Sequence, residues 1–293
     1  MRRKPDILCI GSVLWDVIGR TDDTMIVGND KPGRITRIPG GVALNIAMTL
    51  VRFDLTPALL SVVGRDAEGT GLMAQCGQMG LITEWVLQDP DLPTDQYMAI
   101  EANGQLIAAI ADAHSLERAG DRILAPLIDG RLGHTSKPWP GLIALDGNLT
   151  EALLAEIAHS PQFAAADIRL APASPGKAER LRPLLRHAGT TLYVNCEEAG
   201  LITNTRPQSA EDGAEALIAA GARRVLVTDG AAAAVDATPD RMITRHPPKI
   251  RPKRITGAGD TFMAAHIAAE SKGASADVAL DTALAAAASY VSG

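Results

Sequence analysis

Cysteine is scarce in this chain of 293 residues: Cys9, Cys76 and Cys196 stand far apart, each in an apolar stretch. An odd, unclustered set argues against a disulfide framework or a paired Cys-x-x-Cys centre and predicts reduced core thiols in a cytoplasmic protein. Long apolar runs are missing too. Ile7 to Ile10 is far too short for a signal-peptide core, and no stretch is long enough to cross a bilayer. Nor is there a basic field, since 28 Lys and Arg face 34 Asp and Glu, a net charge of −6, with the arginines scattered. Binding to nucleic acid is therefore not expected. No His-Glu-x-x-His, Gly-x-Ser-x-Gly or P-loop occurs, because Gly176-Lys177 is followed by Ala178 and lacks the earlier glycine. The six histidines are scattered and read as surface or satisfied interior groups.

What is present suits one large α/β domain, taken as residues 1–293. Ile7 to Ile10 reads as a buried strand and Val42 to Phe53 as a helix. Strand and helix then alternate through Ala58 to Val63, Thr70 to Met79, Leu142 to Leu145, Glu151 to Ala158, Ile168 to Ala171, Lys177 to His187 and Thr191 to Val194. Ala210 to Ala220, Val225 to Thr228 and two helices from Asp260 and Ser275 complete the series. This rhythm predicts a doubly wound, mostly parallel sheet flanked by helices. Two segments depart from it. Thr21 to Ile38 is polar and broken by Gly28, Pro32 and Gly33, with Met25 to Val27 and Arg34 to Ile38 as candidate strands; Gln96 to Ile100 and Leu106 to Ile110 make a hairpin through Asn103-Gly104. Together they predict a small second sheet.

The densest chemistry lies in Arg254-Ile255-Thr256-Gly257-Ala258-Gly259-Asp260-Thr261-Phe262. Gly257 and Gly259 can take backbone angles closed to other residues, so successive amides can face one anion. The Ala-rich run that follows, with Phe262, Met263 and Ile267 at helical spacing, places those amides at a helix N-terminus, where the dipole favours phosphate. Asp260 would ordinarily be a cap in such a position. Beside a bound phosphate it could instead take the proton of an attacking hydroxyl.

Four further polar turns fall at predicted strand ends, where open α/β sheets bind ligands: Gly11 to Asp16, Pro39 to Asn45, Asn195 to Glu198 and Thr228 to Ala231. Asp16 and Asn45 suit vicinal hydroxyls, and Gly40-Gly41 allows a sugar to approach closely; a turn residue and a first-turn helix residue are the plainer roles. Asn195 and Glu198 could orient water around Mg²⁺, or simply open a helix.

In their order along the chain, Asp16, Pro39-Gly40-Gly41-Val42-Ala43-Leu44-Asn45, Val63-Gly64-Arg65-Asp66 with Gly69, Asn195-Cys196-Glu197-Glu198, Thr228-Asp229-Gly230 and Thr256 to Asp260 resemble the ribokinase-like (PfkB) carbohydrate kinases across almost the whole sequence. That resemblance implies ATP with Mg²⁺, Asp260 as the base that activates a sugar hydroxyl, and Gly257, Ala258 and Gly259 as the anion hole. It also implies Asn195, Thr228 and Gly230 at the nucleotide, Glu198 reaching the metal through water, and Asp16, Gly40, Gly41 and Asn45 at the sugar. The small sheet, about 21–38 and 96–112, becomes a lid that pairs two copies as a homodimer. Arg254 and Ile255 stand where the family usually has an acid and a threonine, which bears on K⁺ as a second cation, and Leu284 stands where many members carry a polar residue near the adenine.

Tyr97 to Asp112, Leu145-Asp146-Gly147-Asn148-Leu149 and Ala171 to Glu179 are similar to the pseudouridine kinase branch, which implies a nucleoside 5′-hydroxyl as acceptor and Asn148 and Lys177 on the substrate side. For Asn148 the plain role is the start of a helix, and for Lys177 a solvated helix residue. A kinase for ribose, fructose or another nucleoside is the nearest alternative. A binding protein that has lost turnover is another. Gly69-Thr70-Gly71-Leu72-Met73-Ala74 loosely fits a dinucleotide fingerprint, but Arg65 to Glu68 intervene after the strand and put acids where pyrophosphate would lie.

Overall fold

The computed structural model describes residues 3–253 and 256–293. The chain begins with β1 (Ile7–Ile10), β2 (Leu14–Thr21), β3 (Arg34–Gly40), α1 (Val42–Arg52), β4 (Pro57–Leu60), β5 (Val62–Gly64), α2 (Ala67–Gln78) and β6 (Leu87–Asp89). A hairpin of β7 (Gln96–Ala102) and β8 (Gln105–Asp112) precedes α3 (His114–Ala119), β9 (Leu142–Asp146), α4 (Glu151–His159) and β10 (Asp167–Ala171). Then come β11 (Thr190–Asn195), α5 (Cys196–Thr203), α6 (Ala210–Ala219), β12 (Arg224–Thr228), β13 (Ala234–Thr238), β14 (Arg241–Arg245), α7 (Ala258–Ser271) and α8 (Ala276–Ser292).

The main sheet is ordered β14-β13-β12-β11-β10-β9-β1-β4. Its strands from β4 to β12 are parallel, and β13 and β14 add an antiparallel edge. These strands are apolar on both faces because helices cover both. Ile7 and Cys9 pack with α1, α2, α7 and α8; Leu8 and Ile10 pack with the opposite layer of α4, α5 and α6. The doubly wound, mostly parallel architecture flanked by helices is therefore present.

Particular elements differ from expectation. Ala58 to Val63 is two strands, because Ser61 turns its hydroxyl to the Gly11 carbonyl at 2.5 Å and β5 leaves the main sheet to pair with β6. Lys177 to His187 is not an α-helix; a 3₁₀ helix spans Pro175–Leu184, where Pro183 has no N–H to donate. Cys9 and Cys76 are buried as expected, whereas Cys196 is only half-buried, at the first turn of α5.

The second sheet is ordered β3-β2-β7-β8. Met25 to Val27 is not a strand within it. Its missing member is β2, starting at Leu14 inside a segment read as a turn, because only Leu14 and Trp15 are buried and Asp16 and Gly19 obscure any alternation. Asn103 and Gly104 both have positive φ, 52° and 75°, as the tight turn of the β7–β8 hairpin requires. Trp15 ties this sheet to the main body. Its indole N–H donates to the Glu68 carbonyl at 2.9 Å, and the Arg37 guanidinium lies 4.1 Å from the ring centroid while pairing with Glu68.

Candidate active site

The carboxyl ends of β1, β9, β10, β11 and β12 lie along one edge of the sheet, and the N-termini of α1 and α7 join them there. The small sheet supplies Asp16, and the register sets Asp16 opposite Ile38 and Tyr97. Burial pushes the Asp16 carboxyl up to about 6. Gly40 is needed for this carboxylate as much as for any sugar, because a Cβ there would fall within it. Gly41, at φ 98°, brings the start of α1 against Ser12, where a Cβ would lie 2.6 Å from the Ser12 carbonyl oxygen.

Asn45 and Asp260, 215 residues apart in sequence, meet here: the Asn45 Nδ2 donates to Asp260 Oδ2 at 2.9 Å. Gly257 caps α7 in the left-handed region with φ 86°, which leaves Ala258, Gly259 and Asp260 in the first turn of that helix. The space beside Gly259 is open, so an anion can approach its backbone. Gly257 has the opposite surroundings: a Cβ there would meet the Tyr290 hydroxyl at 2.6 Å. Burial pushes the Asp260 carboxyl up to about 7; the Asn45 hydrogen bond pulls it down, while Asp146, Asp16 and Glu198 push it further up. Such a carboxyl is poised to exchange a proton near neutrality.

Along the β11–β12 side, the sheet register pairs Asn195 with Thr228, and Gly230 follows with φ 54°. Asn195 and Glu198 form a reciprocal capping box at 2.8 Å each way, so the plainer reading of this pair is present. The box engages Asn195 Oδ1 and Glu198 Oε2. Burial pushes Glu198 up to about 7, against the pull of the Asn195 amide and with a further push from Glu197. A carboxyl held at such a pKa by desolvation and a like charge gains from a nearby cation, so this donor set fits a metal approached through water. Among the described residues no group of three or more His, Cys, Asp or Glu forms a protein-only metal cage.

A residue absent from the expected set organises the other end. Asp146, fully buried at the end of β9, accepts from the Ser12 N–H at 2.8 Å, the Ser12 hydroxyl, the Asn148 N–H at 2.7 Å and the Ala43 N–H at 3.3 Å. Gly11 is glycine because a Cβ there would fall on Asp146. Asn148 donates to the Ser12 hydroxyl at 3.0 Å, and its Oδ1 accepts from Lys177 Nζ at 2.6 Å. Lys177 is thus a half-buried member of this corner rather than a solvated residue, with a pKa lowered by burial and by Arg180.

Other sequence signals lie elsewhere. Gly69 and Gly71 sit within α2, whose N-terminal amide at Gly69 is taken by Asp66 at 2.7 Å, and Asp66 also binds Thr94; no free anion site opens there. Leu284 is buried in α8. Arg254 and Ile255 lie outside the described residues. A concavity of about 640 Å³ lies along α5, bordered by Cys196, Glu197, Arg206, Gln208 and Asp229, away from Asp260. His266 overturns the expectation of satisfied histidines: it is fully buried, and its Nε2 has no partner among the described residues. No helix of the described residues is long and apolar enough to cross a membrane.

Residues 4–292 match the model of the pfkB family carbohydrate kinases. The chain is 30% identical over 276 residues to a pseudouridine kinase of Escherichia coli (strain K12), covering 90% of this chain and 83% of that one. A carbohydrate kinase from Agrobacterium tumefaciens superposes with a TM-score of 0.81 at 26% identity, covering 97% of this chain and 90% of the other. Arabidopsis thaliana ribokinase, complexed with ribose and ATP, shares the fold with a TM-score of 0.79 at 21% identity, covering 99% and 93%.

Proposed function

Because the chain belongs to the pfkB family of carbohydrate kinases, we propose that it transfers the γ-phosphoryl group of ATP to the primary 5′-hydroxyl of a nucleoside, pseudouridine being the first candidate. The observation that carries the reading is Asp260: a carboxyl in the first turn of α7, beside the open backbone of Gly259, held by Asn45 and poised near neutral pH. In this reading Asp260 takes the proton of the attacking hydroxyl, and the amides around Gly257, Ala258 and Gly259 receive the transferring group. Asp16, Gly40, Gly41 and Asn45 hold the ribose; Asn195, Thr228 and Gly230 border the nucleotide.

Glu198, through water, would hold Mg²⁺, which when bound offsets the charge of the phosphates. K⁺ dependence turns on positions 254 and 255 and is tested by replacing K⁺ with Na⁺ in the assay. Pseudouridine is favoured by the E. coli relative and by the Asn148–Lys177 pair, whose polar groups suit a base with carbonyl oxygens.

Two copies would pair through the small sheet. Its register puts Val17, Ile35, Met98, Ile100 and Ile110 on the face opposite Asp16, and Ile35 and Ile110 are 79% and 70% exposed. The test is an ADP-release screen with pseudouridine, uridine, cytidine, adenosine, ribose and fructose. Preference for pseudouridine by kcat/KM is expected. Preference for a free sugar would move the acceptor, and tight binding without ADP would remove the enzyme reading.

A further inference from the structure

At the other end of α7, ten residues from Asp260 and about 15 Å along the helix, lies a second set of charges that the proposed chemistry does not use. The Glu270 carboxylate reaches Arg169 Nη1 of β10 at 2.5 Å and Arg224 Nη1 of β12 at 2.7 Å. Arg169 is also held by Asp167, at 2.7 Å from both Nε and Nη2, and by the Tyr193 hydroxyl of β11 at 3.1 Å. Arg224 is held by Asp236 of β13 at 2.9 and 2.6 Å. One turn before Glu270, the buried His266 ring meets the Tyr193 hydroxyl at 2.8 Å. Four adjacent strands thus converge on one helix.

Elsewhere α7 is held by apolar packing and, at its first turn, by the Asn45–Asp260 hydrogen bond. Phe262 to Ala268 are all buried, and three of those seven side chains are alanine, which make shallow ridges that tolerate sliding and rotation. Directional contacts must supply the register. Burial opposes charge on Arg169, yet Tyr193, Asp167 and Glu270 hold it well above its ordinary range; burial likewise opposes charge on Glu270, which Arg169 holds below the ordinary carboxylate range. A buried ionic network of this kind need not add stability, but in some proteins it selects one arrangement over its neighbours.

We propose that Glu270 is a positioning residue: gripped by Arg169 and Arg224, it fixes the slide and rotation of α7 and so sets Asp260 and the glycine-turn amides at the reacting end. The proposal rests on the phosphoryl-transfer reading for its kinetic arm only. Misplacement of catalytic groups by about 1 Å costs on the order of 100-fold in rate. Glu270→Gln is therefore expected to lower kcat by about 10- to 100-fold, assayed well below its own Tm, with KM for ATP within about twofold of wild type. Hydrogen exchange at the Thr261 and Phe262 amides of the substrate-free protein should accelerate by about tenfold or more. Glu270→Asp, which keeps the charge, should recover part of both.

If Glu270→Gln does not fold, the triple change Arg169→Met, Arg224→Met and Glu270→Leu decides, since apolar replacements of buried ion networks commonly fold as well as the original. A folded triple variant with impaired kcat and weakened protection supports positioning. Wild-type kcat and protection in any folded variant lacking the Glu270 charge overturn it. A wild type that turns over no acceptor would remove the kinase reading and leave the exchange result to decide the positioning role alone.

Discussion

Replacing Asp260 by Asn is expected to cost most of the turnover and, in the unliganded protein, to raise stability. The carboxyl sits at about 7 against an ordinary 3.8, so keeping it ionised in the fold costs at most about 4 kcal/mol, at 1.36 kcal/mol per unit. The sign follows from which state gives up the proton first. With the folded pKa raised, the unfolded chain ionises earlier, so this group's stabilisation is complete below about 4, declines as pH rises, and is gone above about 7. Asn does not ionise and escapes that decline. At roughly 2 °C per kcal/mol for a chain of this size, its Tm should exceed that of wild type by several degrees, and by no more than about 8 °C, near pH 8. The gap should close near pH 4. A lost general base removes about 10²–10⁴ in kcat, and a thousandfold fall corresponds to about 4 kcal/mol of transition-state stabilisation. Calorimetry across that pH range and coupled ADP release measure the two sides, with ATP affinity expected to stay near the wild-type value. Turnover within about tenfold of wild type would refute the base assignment; a Tm near pH 8 no higher than that of wild type would refute the burial argument.

Asn45→Ala removes the hydrogen bond that lowers the Asp260 pKa, so the acidic limb of kcat/KM, already falling below about 7, should move to higher pH while KM for the acceptor rises; an unmoved limb with a changed KM for ATP alone would reverse the roles of the two halves. Gly257→Ala forces a Cβ onto a φ of 86° and to within 2.6 Å of the Tyr290 hydroxyl, and should cost about 1–3 kcal/mol in chemical unfolding; a neutral result would deny the strained cap. Lys177→Ala and Asn148→Ala should raise KM for pseudouridine more than for ribose, and equal effects on both would place this corner away from the base. Ile35→Asp with Ile110→Asp should convert a dimer to a monomer by light scattering, and a wild type already monomeric at assay concentrations would remove the lid interface.

The six parallel strands of the main sheet were legible because they are short, largely apolar runs, and Thr150, Asn195 and Ser209 cap helices between them; the antiparallel edge was not, because β13 carries Asp236 and β14 begins and ends on arginine, so neither reads as an apolar run. Asp260, the glycine turn and the Asn195–Glu198 pair were legible as well, being contained in short segments at strand ends. Asp146 was hidden because most of its role is non-local: beside the nearby Asn148 amide it gathers Ser12 and Ala43 from segments more than a hundred residues away. Besides its place in the Leu145 to Leu149 segment, its signal was Gly11, a glycine that admits the Asp146 side chain. Strand β2 was obscured for a related reason, since Trp15 is buried against α2 while Val17 and Ile18 are only partly covered. The half-buried pattern of a strand at a sheet that covers a site mimics a polar turn.

The placement of charge explains why this fold tolerates its own site. At the reacting end of α7, the charges acting on Asp260 are carboxylates, Asp146, Asp16 and Glu198, and each raises its pKa. At the far end, Glu270 is met by two arginines. One end of the helix is therefore electrostatically settled while the other carries a surplus of negative charge that the protein leaves uncompensated among these groups. A divalent cation held through Glu198 would relieve part of that surplus, whereas the phosphates it accompanies would add to it. The same surplus predicts that neutralising Asp16 or Glu198 singly lowers the Asp260 pKa, apart from any effect on the ligand contact proposed for each. The acidic limb of the rate profile should then shift down, opposite to the shift from Asn45→Ala, and an upward shift in either variant would show that the carboxylates do not interact through the site.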